Sequence, residues 1–199
     1  MIGLNSVLKR LIQVLKKSEV KYAVVGAVAG INYGRTRTTI DIDLIIDPSG
    51  LDLINFNSDL SAQGFASDIE DIKSAINEGS HLTIFDNLSS IWLDILFANG
   101  ELETTTLESA VNIKIADFKI KGASVETYLI SKLYFMKDII NEQNSVILEY
   151  KDVQDFMAVY VLQKDNLNEI RFLELIDRFR LRKVFDVILD IIRSVREWK

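Results

Sequence analysis

Residues 21–47 read KYAVVGAVAGINYGRTRTTIDIDLIID, and the fold that we predict is organised around this stretch. It opens with a short apolar run, Tyr22–Val25, which breaks at Gly26 and leads into a segment of small residues. A second apolar run then carries Asp41 and Asp43, one residue apart. Because side chains alternate between the two faces of a strand, these carboxylates point to the same side. The stretch therefore predicts a strand, a glycine turn, a short helix and a second, charged strand.

The two carboxylates need a counter-charge. Two like charges about 4 Å apart repel by roughly 4 kcal/mol at an effective dielectric constant of about 20. A divalent metal ion is a common counter-charge for clustered carboxylates, and hard oxygen ligands favour Mg²⁺ or Mn²⁺. Asp41 and Asp43 therefore predict a cation site.

A third carboxylate occupies a similar position further along the chain. Asp94 lies alone within the apolar run Ile91–Phe97, which reads IWLDILF. A buried, unpaired charge there would cost several kcal/mol, so a metal, an arginine partner or protonation is expected to relieve it. Three carboxylates on neighbouring strands are what a two-metal phosphoryl-transfer site requires.

Composition limits the class of protein. The chain has 199 residues, 48% of them hydrophobic, with one proline and no cysteine. This excludes disulfides and cysteine zinc sites, favours a packed globular protein, and leads us to expect a cytoplasmic location. We see no signal peptide and no apolar run long enough to span a membrane.

Charge is distributed unevenly along the chain, whose net charge is −6. Residues 1–40 carry seven Lys or Arg and one acid, whereas residues 41–110 carry fourteen acids and one lysine. The acidic block begins at the aspartate pair, as a cation site would require.

Periodicity predicts an α+β fold, with a mixed sheet and helices up to about residue 122 and helices alone from 123 to 199. The boundary divides a domain 1–122 from a helical domain 123–199. In the first part we expect helices at 3–18, 27–33, 51–62 and 68–78, and strands at 21–25, 39–46, 81–85, 91–98, 111–115 and 118–121. We expect residues 99–110 to be irregular. In the second part we expect helices at 124–140, 146–162, 167–179 and 183–196.

These motifs resemble the nucleotidyltransferase superfamily with the DNA-polymerase-β-like fold. Its pattern is Gly-Gly or Gly-Ser, a spacer, then two aspartates alternating with hydrophobic residues, and Val25–Ala27 with Ile40–Leu44 is similar to it. The resemblance implies a Mg²⁺-dependent or Mn²⁺-dependent transfer of a nucleoside monophosphate from an NTP to an acceptor hydroxyl. The chain departs from the pattern at Ala27, where the family often has a serine or glycine that contacts the triphosphate.

The helical part adds to the resemblance. Tyr128–Leu133 and Tyr150–Asp155 are similar to a Leu-x-x-x-Lys-Leu and Lys-Asp-x-x-Asp segment of AbiEii-type and related minimal nucleotidyltransferases, which include members of toxin–antitoxin systems. The resemblance implies that the acceptor is a tRNA or a protein and that a cognate toxin or antitoxin is a candidate partner. The alternative is a catalytically weak module of the same fold that acts as a toxin–antitoxin or regulatory partner.

The resemblance also assigns roles to individual residues. The metal ligands are Asp41, Asp43 and Asp94, and these are catalytic together with Lys132. The nucleotide contacts are Gly26, Ala27, Arg35, Arg37, Lys132 and Asp152. Asp152 either holds Lys132 in place or joins the site, and Asp155 follows one helical turn later. Structural interpretations stay open as well, such as a surface lysine for Lys132 and loop solubility for the arginines.

A dinucleotide-binding fold is a third interpretation, because Val24–Gly30 follows a strand and opens a helix. The segment lacks the Gly-x-Gly-x-x-Gly spacing, and the acid about twenty residues further on would have to be Asp47, beyond the charged strand. The spacing therefore disfavours this interpretation.

Overall fold

The computed structural model describes residues 3–137 and 150–197, and in those ranges the chain forms seven strands and nine helices. The chain divides into two compact units. The first comprises Met1–Asn32 and Thr36–Ser124, and the second comprises Tyr33–Arg35 and Val125–Lys199. No helix among the described residues is both long enough and apolar enough to cross a bilayer.

The first unit contains all seven strands. Its helices are α1 (Leu4–Ser18), α2 (Gly26–Asn32), α3 (Leu53–Ala62), α4 (Ile69–Glu78) and α5 (Glu101–Glu108). Its strands are β1 (Tyr22–Val24), β2 (Asp41–Ile46), β3 (Phe65–Ala66), β4 (His81–Asp86), β5 (Trp92–Phe97), β6 (Val111–Ile115) and β7 (Phe118–Gly122). They form one mixed sheet in the order β3-β4-β5-β2-β1-β7-β6. The predicted α+β class with a mixed sheet is therefore confirmed.

Strand direction within this sheet sets up the candidate site. β2 and β5 are parallel neighbours in the middle of the sheet, and β4 pairs with β5 in the antiparallel sense. β1 lies antiparallel to β2 on its other side. The two predicted strands that carry aspartates are therefore adjacent, although many residues separate them along the chain.

One face of the sheet is covered by the apolar core. Alternate residues of β2 and β5, such as Ile42, Leu44, Leu93 and Ile95, are buried there. The apolar stripe of α1 belongs to the same core cluster, and its buried members are Val7, Leu8, Leu11, Ile12, Val14 and Leu15. Because side chains alternate, burial of this set leaves the intervening residues on the opposite face.

One prediction for the first unit is wrong, and one short strand was missed. Residues 99–110 were expected to be irregular, but Glu101–Glu108 is helical. Its buried positions include Thr105 and Thr106 beside Leu102, so the segment lacks the apolar periodicity that marks most surface helices. The two-residue strand β3 was not expected, because it is too short to show alternation.

The second unit is helical. Its helices are α6 (Val125–Met136), α7 (Lys151–Leu162), α8 (Glu169–Arg178) and α9 (Arg182–Glu197). Aromatic rings of α7, α8 and α9 pack together within it, with Phe156 stacked on Tyr160 and Phe172 edge-on to Phe185. The ends of the predicted helices 124–140 and 146–162 that lie between 138 and 149 fall outside the described residues.

Candidate active site

Three aspartates of the first unit converge on one face of the sheet. The register places Asp43 directly beside Asp94, and Asp41 two residues along β2 on the same face. Each of the three carboxylates offers an oxygen atom, and these atoms all lie within 4.8 Å of one another. All three residues are partly exposed, so this carboxylate triad is open to a ligand. Asp94 is thus not buried, contrary to the expectation drawn from its apolar run.

Threonine hydroxyls orient two of the three carboxylates. Thr83 lies opposite Asp94 in the β4–β5 pair, and its Oγ1 donates to Asp94 Oδ1 over 2.6 Å. The Thr39 hydroxyl, just before β2, donates to the Asp41 carboxylate. A hydroxyl donor orients a carboxylate but brings no positive charge, so neither hydrogen bond supplies the counter-charge that a bound cation would.

Position 26 requires a glycine because the Asp43 carboxylate lies close to its backbone. This residue has φ +55° at the start of α2, a backbone conformation that favours glycine. A Cβ atom at this position would collide with the carboxylate of Asp43. The Val25 N–H donates to the Asp43 carbonyl oxygen over 2.9 Å, which ties the turn to β2. The glycine that the sequence singles out therefore lies against the triad, on the β1 side.

The donor set of the triad fits a hard divalent cation. Carboxylate oxygens are the ligands that Mg²⁺ and Mn²⁺ prefer, and three of them come within a few ångströms of one another here. Asp41, Asp43 and Asp94 are the residues that would hold such an ion.

The second unit contains a network of ion pairs. Lys132 Nζ donates to Asp152 Oδ1 over 2.6 Å and lies 3.6 Å from Asp155 Oδ2. Arg35 Nε donates to Asp155 Oδ1 over 2.9 Å, and the Asp155 side chain is 1% exposed. Lys132 and Asp152, which the sequence associates, are therefore in contact. Arg35 lies against an aspartate, where the sequence predicts a phosphate contact.

The remaining predicted residues are Ala27 and Arg37. Ala27 lies in the first turn of α2, where the residue is 3% exposed and its side chain has no polar group to offer a ligand. Arg37 is partly buried in the segment that precedes β2.

Sequence reasoning did not find Thr83 or Thr39. Both are common strand residues, and nothing local marks them as partners of a carboxylate. A signal existed for Thr83, which occupies an exposed position of an alternating strand. It became informative only with the register of the β4–β5 pair.

The mixed sheet and the helical unit define a nucleotidyltransferase-like fold. Among solved structures, the chain is similar to the crystal structure of ANT(2″)-Ia in complex with adenylyl-2″-tobramycin. The identity is 14%, the match covers 89% of this chain and 97% of that one, and the TM-score is 0.57. The solution structure of the antibiotic-resistance factor ANT(2″)-Ia matches with 13% identity over 89% and 91% of the two chains, at a TM-score of 0.54. Similarity at this level shows the fold alone. No protein-family model matches the chain, and no curated protein matches it in sequence.

Proposed function

We propose that this protein is a Mg²⁺-dependent nucleotidyltransferase that moves a nucleoside monophosphate from an NTP to an acceptor hydroxyl. The observation that carries the proposal is the carboxylate triad, with three acidic oxygens within 4.8 Å on an open sheet face. The fold supports it, because ANT(2″)-Ia is known in complex with an adenylylated molecule.

The triad residues would divide the chemistry between them. Asp41 and Asp43 would hold Mg²⁺ or Mn²⁺ together with Asp94, and the ion, when bound, would neutralise charge that develops on the transferred phosphoryl group. Asp94 is the residue proposed to orient or deprotonate the attacking hydroxyl. The Thr83 hydroxyl holds one oxygen of Asp94, which limits the directions in which the other oxygen can point.

The proposed nucleotide contacts begin at the glycine turn. Gly26 allows the backbone to approach the triad, and Ala27 would contribute its N–H group in place of a side-chain hydroxyl. The other predicted contacts to the triphosphate are Lys132, Arg35 and Arg37. Asp152 is predicted to hold Lys132 in place or to join the site. The tRNA or protein acceptor and the cytoplasmic location belong to the same proposal.

The alternative is a catalytically weak module of an AbiEii-like toxin–antitoxin pair. The observation that favours it is Ala27, whose side chain carries no hydroxyl and is buried. A cognate antitoxin or toxin would then be the relevant partner. If Asp41→Asn leaves the cellular effect of the protein unchanged, this alternative is supported and catalysis is not the function.

The test is NTP binding followed by transfer. We expect the protein to bind NTP at millimolar Mg²⁺ or Mn²⁺ and to label an acceptor from a radiolabelled NTP. Asp41→Asn should weaken metal-dependent NTP binding and slow transfer about a thousandfold. Asp71→Asn is a matched control, because it removes the same charge from the exposed surface of α4. Absence of NTP binding by the wild-type protein at millimolar Mg²⁺ would rule the proposal out.

A further inference from the structure

Two aromatic rings, one exposed and one partly buried, lie beside the carboxylate triad on the same face of the sheet. Phe85 of β4 pairs in register with Trp92 of β5, and Trp92 in turn lies directly opposite Asp41 of β2. The ring centroids of Phe85 and Trp92 are 6.4 Å apart with an interplanar angle of 60°. The Phe85 side chain is 61% exposed, although a phenylalanine is usually buried.

Alternation along the strands puts the rings and the carboxylates in adjoining rows. Trp92 and Asp94 are two residues apart on β5, and Phe85 and Thr83 are two apart on β4. From strand spacing, the Cα atom of Trp92 is thus about 5 Å from that of Asp41 on the neighbouring strand. It is about 7 Å from the Cα atom of Asp94 on its own strand. A base stacked on these rings would therefore have its attached ribose next to the carboxylates.

The triad separates these rings from the glycine turn. Gly26 lies against Asp43 on the β1 side, whereas Phe85 and Trp92 lie on the β4 and β5 side. In phosphoryl transfer the attacking and leaving oxygens are roughly in line. If the triphosphate lies at the glycine turn, as the proposed function has it, then the acceptor hydroxyl enters from the side of the aromatic rings.

We infer that Phe85 and Trp92 stack the terminal base of a single-stranded RNA acceptor and so present its ribose hydroxyl to Asp94. This inference rests on the proposed function and selects a polynucleotide over a protein side chain as the acceptor. Stacking on aromatic rings tolerates any base, since each base has a π face. The bond that forms joins the acceptor oxygen to the α-phosphorus, pyrophosphate leaves, and the hydroxyl proton passes to the Asp94 carboxylate.

The direct test is quenching of Trp92 fluorescence by a short oligonucleotide. The second tryptophan of the chain, Trp198, is replaced by phenylalanine so that Trp92 is the sole indole emitter. Octaadenylate and octacytidylate with free 3′ hydroxyls should both quench the emission saturably. Phe85→Leu should weaken binding of both by roughly tenfold, and Phe85→Tyr should restore it. Leu88→Ser is the matched control, because Leu88 is 54% exposed in the loop and lies off the strand face.

The same variants give a second readout in transfer assays. Phe85→Leu should raise the KM for the oligonucleotide roughly tenfold and leave the KM for NTP unchanged. A lack of saturable quenching would overturn the inference, as would equal oligonucleotide affinity in Phe85→Leu and Phe85→Tyr. Emission that depends on protein concentration and not on the oligonucleotide would also overturn it, since the rings would then form a contact between copies.

NTP binding with Mn²⁺, measured in the same samples, separates the two proposals. If NTP binds and the oligonucleotides do not, the stacking inference fails alone. If the oligonucleotides bind through Phe85 and NTP does not bind, the nucleotidyltransferase proposal fails and the stacking surface stands.

Discussion

The aspartates on the two faces of the central sheet differ in burial and in their hydrogen-bond partners. On the covered face, Asp86 is buried and receives two hydrogen bonds of 2.8 Å from the Arg10 guanidinium group. On the open face, Asp41 and Asp94 are partly exposed and accept from threonine hydroxyls. A guanidinium group neutralises a carboxylate, whereas a hydroxyl orients it and leaves its charge. The buried Arg10–Asp86 pair therefore serves stability, whereas the hydroxyl-oriented carboxylates of Asp41 and Asp94 are suited to binding a cation.

The largest expected effect tests the open face. Asp41→Asn removes the charge of a proposed metal ligand, so we expect the proposed transfer activity to fall about a thousandfold, which corresponds to roughly 4 kcal/mol of transition-state stabilisation. Steady-state kinetics at saturating Mg²⁺ measures this. The melting temperature should stay the same or rise, because the substitution relieves repulsion between carboxylates. A fall in melting temperature with unchanged kinetics would place Asp41 with Asp86, as a structural residue.

The second effect tests the covered face. Arg10→Met leaves Asp86 buried without its guanidinium partner, and we expect the free energy of unfolding to fall by about 3 kcal/mol. Chemical denaturation with urea measures it. Lys17→Met is the comparison variant, because Lys17 pairs with Asp59 at the surface and should cost about 1 kcal/mol or less. Equal losses in the two variants would contradict the distinction between buried and surface pairs.

A smaller effect concerns the hydroxyl that orients Asp94. Thr83→Val keeps the shape of the side chain and removes the donor, so we expect metal affinity to fall roughly tenfold. Isothermal titration with Mn²⁺ measures this affinity, and Thr83→Ser should recover most of it. If Thr83→Val binds Mn²⁺ as tightly as the wild type, the hydrogen bond does not position Asp94.

The smallest effect is on the pH dependence of stability. Burial raises the pKa of Asp86, but hydrogen bonds from Arg10, Ser89 and the Leu88 N–H outweigh burial and hold this pKa below its usual value. Stability from this group is therefore fully present above its unfolded pKa, near 3.9, and is lost as the pH falls through the lower folded-state pKa. Urea unfolding between pH 7 and pH 3 should show this loss in the wild type and a smaller one in Asp86→Asn. Parallel pH profiles would contradict it.

Much of the first unit could be predicted because its signals are local. The strands that carry Asp41, Asp43 and Asp94 have clear apolar alternation, and Gly26 follows an apolar run. The helix at Glu101–Glu108 was missed because threonines occupy its buried positions. A segment was predicted correctly where its apolar residues repeat with the period of the strand or helix that it forms, and was missed where they do not.

The β4–β5 register shows where local signals end. A loop of residues 86–90 would pair Phe85 with Ile91 and therefore place Thr83 opposite Leu93. The structure pairs Phe85 with Trp92 and Thr83 with Asp94, a shift of one residue. Asp86 belongs to the strand because Arg10, 76 residues earlier in the chain, holds its side chain in the core. A partner so distant in sequence cannot be inferred from the loop itself.

The sequence by itself determined that Asp41 and Asp43 share a face, since alternation is a property of any strand, and that a glycine precedes them. It also contained the unusual carboxylate at Asp94. Only the tertiary structure decided that Asp94 lies beside Asp43, that Gly26 lies against them and that Phe85 and Trp92 flank the triad. These relations depend on strand order and register, which arise from packing of the whole core and not from any one segment.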